Sequence, residues 1–488
     1  IGLTSLLIYG IYRYYRFVAK FPKGPTPLPF IGNFLEFDFG RQDKTFERLS
    51  EGFDGVCTIF NPLPTVHLKD YALIKEAFVD KGDDFAGRPV TKAQRILRDF
   101  TDNGGVISSN GANWREQRRT AITILRDFGM GKNIMEELVK SSLQEYLECL
   151  ENVKDMDNVN MRWPVQIMVA NIINEVLFGF RYKYDDCEPL TRYVEDLNNM
   201  FEQLPKTKMI FLGMGFPILT KLPWFKWHTY DKHRQAANAI NQYIVDCVNK
   251  ASEGYNVEDE PTCFVHAYRQ KMGKNNEFLD EGNLLSTCAD FFLAGQETTT
   301  TTLRWTMLIL ANEQEAQEKL RAEVLSVVGN HRLPSMSDQM KMPYARAFVH
   351  ELQRYANILG RNVPHVTVRD TEIGGHFIPE GTLVNGDIHY VMAHDPHFEN
   401  PSEFRPERYL KEDGKTLRKD LVDRTVAFSL GKRVCAGEGL ARAELFLGLM
   451  TTVQRYRLTP SPGKPLNMEP KPQAIKMPQE QTIRLQRV

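Results

Sequence analysis

The chain has no C-x-x-C pair and no zinc-type ligand spacing. Its seven cysteines, Cys57, Cys149, Cys187, Cys247, Cys263, Cys288 and Cys435, are odd in number and widely scattered. That excludes a paired disulfide framework and suits a reducing compartment. Net charge is also missing: 61 Lys and Arg against 62 Asp and Glu leave −1. A nucleic-acid role would need a concentrated basic face, and no nucleic-acid motif is present. There is no G-x-G-x-x-G fingerprint, no repeat of fixed period and no low-complexity linker across the 488 residues. A built-in dinucleotide domain and a tandem array are therefore excluded. Long apolar runs are scarce as well. The opening Ile1 to Tyr12 stretch stops at Arg13, short of the roughly 20 residues needed to span a bilayer. It reads as the tail of a membrane anchor, ahead of a cleaved signal peptide or a core segment, because Tyr14-Tyr15 and the cations Arg13, Arg16 and Lys20 follow it like an interface flank.

What is present is enough for one large core: 42% apolar and 11% aromatic residues. Patterning predicts a mainly α chain with a smaller β part. The segment Phe21-Pro22-Lys23-Gly24-Pro25-Thr26-Pro27-Leu28-Pro29 reads as a stiff, non-helical hinge. The expected organisation is an anchor remnant over 1–20, a hinge over 21–30 and a single catalytic domain over 31–488.

Phe428-Ser429-Leu430-Gly431-Lys432-Arg433-Val434-Cys435-Ala436-Gly437 sets one cysteine beside two cations in a glycine-flanked loop. Lys432, Arg433 and the backbone that follows are expected to favour the thiolate of Cys435. Gly431 and Gly437 are expected to permit backbone geometries and close approaches that a Cβ would obstruct. An apolar helical run from Leu440 to Met450 follows. Phe428, Gly431, Arg433, Cys435 and Gly437 together match F-x-x-G-x-R-x-C-x-G, and on this phrase the chain resembles the cytochrome P450 family of haem-thiolate proteins. The resemblance implies Cys435 as the proximal iron ligand and haem b held between a long distal helix and the cysteine loop with its helix.

Other segments agree in order. Trp114 and Arg118 lie four apart on one helix face. In the family, W-x-x-x-R at this place sends the indole N–H and the guanidinium to a haem propionate, and Arg433, Arg88 and His365 are implied as further partners. From Gly282 to about Asn312 the pattern is that of a buried helix, broken by Ala294-Gly295-Gln296-Glu297-Thr298-Thr299 and five consecutive threonines, 298–302. Their hydroxyls bond back to preceding carbonyls in the plain reading. In the family reading A-G-x-[DE]-T handles oxygen: Ala294 and Gly295 leave room above iron, Thr298 offers a hydroxyl to dioxygen and Glu297 relays protons. Glu351-Leu352-Gln353-Arg354 is E-x-x-R, and Arg408 in Pro406-Glu407-Arg408-Tyr409 joins it, tyrosine standing where the family usually has phenylalanine. These three residues are expected to form a buried charge network behind the cysteine loop.

The resemblance covers nearly the whole chain, which looks like an animal microsomal member of the family-two type, an invertebrate source being one reading. It implies a monooxygenase that inserts one atom of O₂ into an apolar small molecule such as a lipid, steroid, fatty acid or xenobiotic. Electrons would come from NADPH through NADPH–cytochrome P450 reductase, with cytochrome b5 as a second partner. The implied location is the endoplasmic reticulum membrane, catalytic domain on the cytosolic face. Two alternatives are a haem-thiolate isomerase or dehydratase that needs no O₂ and a non-catalytic haem or lipid binder; Glu297 and Thr298 weigh against both. Expected pocket residues are Phe291, Phe292, Asn362 and Val363, with part of the 88–106 loop and the turn at Gln473-Ala474-Ile475-Lys476. Arg115, Arg119, Arg126, Lys132, Lys432 and Arg442 form either a docking face for an acidic redox partner or a merely solvated face. The apolar, Gly- and Pro-broken stretch from Met209 to Trp227 is either an interfacial lid with Trp224, Phe225 and Trp227 as anchors or a buried loop. Substrate identity is not legible.

Overall fold

The computed structural model describes residues 2–38, 41–90, 100–128, 133–206, 208–272, 276–471 and 475–488. Residues 91–99 of the 88–106 loop, Lys132, Gln473 and Ala474 lie outside them.

Most of the chain is helical. The main helices are α1 (Gly2–Val18), α2 (Gln42–Leu49), α3 (Gly111–Asp127), α4 (Asn133–Glu151), α5 (Arg162–Phe178), α6 (Glu188–Lys206), α7 (Lys232–Ser252), α8 (Phe264–Met272), α9 (Glu281–Asn312), α10 (Gln314–Val327), α11 (Pro343–Ala356), α12 (Ile388–His394) and α13 (Glu438–Arg455). The smaller part is a four-stranded sheet in the order β1 (Val56–Asn61), β2 (Leu63–Leu68), β6 (Leu383–Gly386), β3 (His365–Val366). Strands β4 (Thr371–Ile373) with β5 (His376–Ile378), and β7 (Tyr456–Pro460) with β8 (Ile483–Arg487), form two-stranded ribbons. Parallel pairing of β2 with β6, Thr65 opposite Leu383, ties the amino-terminal third to the carboxyl-terminal third.

Helix α9 is the axis of the helical part. Asp280 caps it by accepting from the Asn283 backbone N–H at 2.7 Å. Almost every side chain from Gln296 to Ala311 is buried, because α5, α13 and β7 surround the helix on different sides. Apolar burial in one large cluster holds this part together, each fully buried Leu, Ile or Phe being worth roughly 1.5–3 kcal/mol. A second cluster around Val66, Leu68, Ile74, Phe78 and Val384 belongs to the sheet.

Segment 21–33 is non-helical and packs on β1: Asn33 N–H donates to Phe60 O at 2.7 Å, and the Asn33 side chain accepts from Phe60 N–H at 3.1 Å. Helix α1 reaches the same residue through Tyr14 and Phe17, whose rings lie 6.5 and 6.3 Å from that of Phe60. No helix among the described residues is long and apolar enough to cross a membrane.

Candidate functional site

The cysteine loop is a turn built against the sheet cluster. Gly431 has φ +75, and a Cβ there would collide with the Phe78 carbonyl, so glycine is required by both conformation and contact. Gly437 differs from expectation: its φ is −95 and nothing lies within 4 Å of its missing Cβ, so the protein itself does not demand glycine there. Cys435 N–H donates to Phe428 O at 3.0 Å, closing the loop, and the Arg442 guanidinium covers the Phe428 ring at 4.9 Å. The Cys435 side chain is solvent-accessible although protein surrounds it, which places the thiol on an internal space.

The cations do not act on Cys435 as the linear sequence led us to expect. Lys432 is exposed and pairs with Asp83. Arg433 turns away, donating to Ala86 O at 3.0 Å, Ser109 O at 2.7 Å and Val106 O at 3.3 Å. Burial pushes the Cys435 thiol up; the Gly437 backbone N–H and Arg118 pull the other way, and Glu438 adds to the rise. The protein alone thus favours the thiol, and a thiolate here calls for the charge of a bound metal ion.

Arg433 instead joins a cation cluster. Its guanidinium lies 3.7 Å from the centre of the Trp114 ring. Arg88 donates to Ile107 O at 3.1 Å and to Val363 O and Pro364 O at 2.8 and 3.0 Å. Arg118 donates to Val434 O at 2.6 Å, tying α3 to the cysteine loop. Among the described residues no carboxylate pairs with any of these three arginines. Burial, with mutual repulsion added, pushes Arg88 down to about 9 and Arg433 to about 8, and burial lowers Arg118. Trp114 Nε1 is buried without a hydrogen-bond partner. His365 stacks on Phe78 at 4.0 Å and donates from Nδ1 to Phe85 O at 2.6 Å; burial and then Arg88 hold it well below the usual imidazole range. This donor set lacks one thing, an anion with two negative charges. An orphaned indole N–H and three uncompensated guanidiniums fit the two carboxylates of an iron porphyrin, and Cys435 fits its metal.

Opposite lies α9. Leu293, Ala294, Gly295 and Thr298 are half-buried within a helix whose other residues here are buried. Thr298 donates its hydroxyl to Ala294 O at 2.7 Å, and Thr302 and Thr306 repeat that bond one and two turns on, at 2.9 Å each. Of the threonine run, Thr298 and Thr302 bond back to preceding carbonyls, whereas the buried Thr300 and Thr301 hydroxyls have no partner and Thr299 meets Glu444. Gly295 serves another purpose than room alone, since a Cβ there would press on Ile173 of α5 at 3.1 Å. Burial raises Glu297 to about 7, with Arg304, Arg162 and Gln166 pulling it down. Asp290, which the sequence reading passed over, accepts from Val106 and Ile107 N–H at 2.7 and 2.8 Å and so fastens the 105–109 segment to α9. Through Val106 and Ser109 that same segment meets Arg433, linking α9 to the cysteine loop. A carboxylate inside an apolar helix was the available signal.

The scaffold network is complete. Arg354 meets Glu351 in a bidentate pair at 2.7 and 2.8 Å, and Arg408 Nε donates to the same carboxylate at 3.1 Å. Their remaining N–H groups go to the carbonyls of Met392, Pro401, Glu399, Asn400 and Glu403. Tyr409 is accommodated because its hydroxyl meets Thr425 Oγ1 at 2.6 Å.

The expected pocket residues separate. Phe292 is fully buried among Phe178, Tyr193 and Tyr243 and is a core residue, a correction to the sequence reading. Phe291 packs edge-on against Phe264 at 5.7 Å. Asn362 accepts from Gly386 N–H at 2.8 Å and borders a polar cavity of about 310 Å³ beside the sheet, while Val363 is exposed. On the outer surface Arg119 pairs with Glu116 and Arg442 with Glu438; Arg115 and Arg126 are exposed and form no ion pair with any described residue.

Comparison with known proteins places these observations. The family model described as Cytochrome P450 matches residues 22–485. Cytochrome P450 2C8 of Homo sapiens is 36% identical over 468 residues, covering 93% of this chain and 91% of that protein. Cytochrome P450 2C21 of Canis lupus familiaris is 34% identical over 469 residues, covering 94% and 93%. Cytochrome P450 2G1 of Rattus norvegicus is 34% identical over 459 residues, covering 93% and 91%.

Proposed function

The chain belongs to the cytochrome P450 family and is a monooxygenase of the haem-thiolate class, and from that premise we propose that it oxidises apolar small molecules at a haem b held by Cys435. Electrons come from NADPH through a separate reductase, with cytochrome b5 as a second donor. The observation that carries the site assignment is the cluster of Arg88, Arg118 and Arg433 with the orphaned Trp114 indole, a set of donors without an acceptor, beside a cysteine on an internal space.

When bound, the haem supplies the redox chemistry of oxygen activation. The chain's own residues orient it and manage protons. Arg88, Arg118, Arg433 and Trp114 would hold its carboxylates, whose negative charge would favour the charged forms of the arginines. Thr298 spends its proton on Ala294 O, so its oxygen keeps lone pairs to accept a hydrogen bond from the distal side, and rotation of the hydroxyl passes a proton on. Glu297, raised to about 7, is poised to gain and lose a proton near neutrality. It stands about 100° round the helix from Thr298, so it holds a proton in reserve rather than touching the same oxygen. Arg304 beside it donates to Glu480 Oε1 at 2.7 Å, and Glu480 is one-third exposed, a polar route to solvent.

The apolar exterior supports membrane association. Leu6, Leu7 and Ile8 on α1, Ile218, Trp224 and Trp227 beyond α6, and Leu63 at the β1–β2 turn are exposed. Gly215 approaches Pro62 in that turn, and α1 packs on Phe60 just before it, so the three segments meet around the turn. These exposed side chains support reading residues 1–20 as a membrane-associating segment, 21–30 as a hinge and the remainder as the catalytic domain, which we assign to the cytosolic side of the endoplasmic reticulum. Arg115 and Arg126 are the exposed cations best placed to steer an acidic redox partner.

The test is the carbon monoxide difference spectrum of the reduced protein with Cys435→Ala and Cys435→His beside it. A strongly red-shifted Soret band in the parent, lost in both variants, is expected; a band indifferent to Cys435 overturns the assignment.

A further inference from the structure

We propose that Glu47, His389 and His394 form a binding site for one divalent transition-metal ion of the zinc class, at the rim of the polar cavity beside the sheet and sharing no residue with the Cys435 site.

The sequence separates Glu47 from the two histidines by more than 340 positions, and the fold joins them. Glu47 lies in the last turn of α2. His389 and His394 open and close α12, which follows β6 directly, and Asp387 at that junction donates its N–H to Leu68 O of β2 at 2.9 Å. Glu47 Oε1 is 3.1 Å from His389 Nε2 and 3.0 Å from His394 Nε2, and the three donor atoms lie within 4.8 Å of one another. Ligand atoms about 2.0–2.1 Å from a tetrahedral ion stand roughly 3.3 Å apart, so two edges of a coordination triangle are already near their bound lengths.

Donor chemistry selects the ion. Two imidazoles and one carboxylate form a borderline set that suits Zn²⁺, Co²⁺, Ni²⁺ or Cu²⁺ and is poor for Ca²⁺ or Mg²⁺, which seek oxygen. The site is reachable: the side chains of Glu47, His389 and His394 are 33%, 19% and 44% exposed, leaving the fourth position to water.

A second layer orients His389. The Asn357 amide lies 2.8 Å from Nδ1, fixed at the end of α11 by a backbone φ of +40. Asn357 Oδ1 has no hydrogen-bond partner where it stands, so turning it toward Nδ1 exchanges the Nδ2 contact there and gives up only the long Nδ2–H bond to His389 O at 3.4 Å. The turned amide accepts Nδ1–H and leaves the Nε2 lone pair facing Glu47, the tautomer a metal requires. Lys476 Nζ is 3.0 Å from Nδ1 and, as an ammonium, can only donate to it, so the metal-bound tautomer requires Lys476 to turn fully to Asp43 Oδ2, which already holds it at 3.1 Å. An ion at this site would clamp α2 to α12 across the cavity rim, which Glu47, His389 and Asp43 help to line.

The experiment uses the haem-loaded protein, stripped of loosely held metal by chelator and titrated with Zn²⁺ by calorimetry, with bound zinc counted by elemental analysis after dialysis. One equivalent of zinc beyond the haem iron is expected, with a rise in the thermal unfolding midpoint. Glu47→Gln and His394→Ala should each weaken binding at least about tenfold and abolish the midpoint shift. His397→Ala should change neither, because His397 pairs with Asp395 at 2.7 Å outside the triangle. A parent that binds no zinc, binding that survives both Glu47→Gln and His394→Ala, or equal loss in His397→Ala would overturn the site. The haem spectrum of each variant reports folding independently.

Discussion

Two sets of buried charge, the Glu351 network and the Arg88 cluster, differ in one respect. The Glu351, Arg354 and Arg408 network is closed: one carboxylate meets two guanidiniums, and backbone carbonyls take the remaining N–H groups. The Arg88, Arg118 and Arg433 cluster is open: its N–H groups find carbonyls, yet its charges find no carboxylate among the described residues, and burial drives the arginines' pKa values down. A closed network is scaffold, stable by itself. An open one is half of an interaction whose other half is a ligand.

Breaking the closed set should have the largest effect. Glu351→Ala strands two arginines in the interior at a cost of about 3–5 kcal/mol, and the expected result is protein that fails to retain haem, read from holoprotein yield and denaturant unfolding. The open set should respond differently. Arg433→Met is expected to speed haem loss to a scavenger at least about tenfold, about 1.4 kcal/mol. The haem-free form should stay within about 1 kcal/mol of the parent, because relief of repulsion offsets the lost carbonyl bonds. Equal destabilisation of haem-free and haem-loaded forms would erase the distinction.

A subtler test concerns Glu444 on α13, buried against α9 and raised to about 8 by that burial, with Thr299 pulling it down. The folded form keeps its proton to about pH 8, whereas the unfolded chain releases it near 4.5. Its stabilising contribution is therefore full below pH 4.5 and is lost as pH rises to 8, at up to about 1.4 kcal/mol per unit. Glu444→Gln should flatten that slope relative to the parent in unfolding measured from pH 5 to 8. The smallest effect on stability belongs to Thr298→Ala, which removes one hydrogen bond worth about 1 kcal/mol or less. Its readout is chemical: reducing equivalents should appear as peroxide rather than product, and unchanged coupling would remove Thr298 from proton handling.

Much of the site could be read from local phrases because the requirements are local. A thiol flanked by glycines, W-x-x-x-R on one helix face and E-x-x-R within one turn each place their groups by backbone geometry alone. The misreadings share one cause. Lys432 and Arg433 stand beside Cys435 in sequence, but a turn points neighbouring side chains in different directions, and Asp83 and the 106–109 carbonyls claim them. Phe292 precedes Ala294 by two positions, which on a helix is nearly the opposite side. Gly295 owes its size partly to Ile173, a residue 122 positions away that no local pattern reveals.

By itself, then, the sequence determined the chemistry available: a lone loop cysteine, a hydroxyl and a carboxyl in an apolar helix, and an excess of arginine at a few marked points. Tertiary structure decided what those groups face. It put Arg118 rather than Lys432 beside the thiol, left three guanidiniums without an anion, closed the Glu351 network, and brought Glu47 to His389 and His394. The physical reason is range: backbone geometry fixes directions over a few residues, whereas burial and charge balance depend on which distant segments pack together.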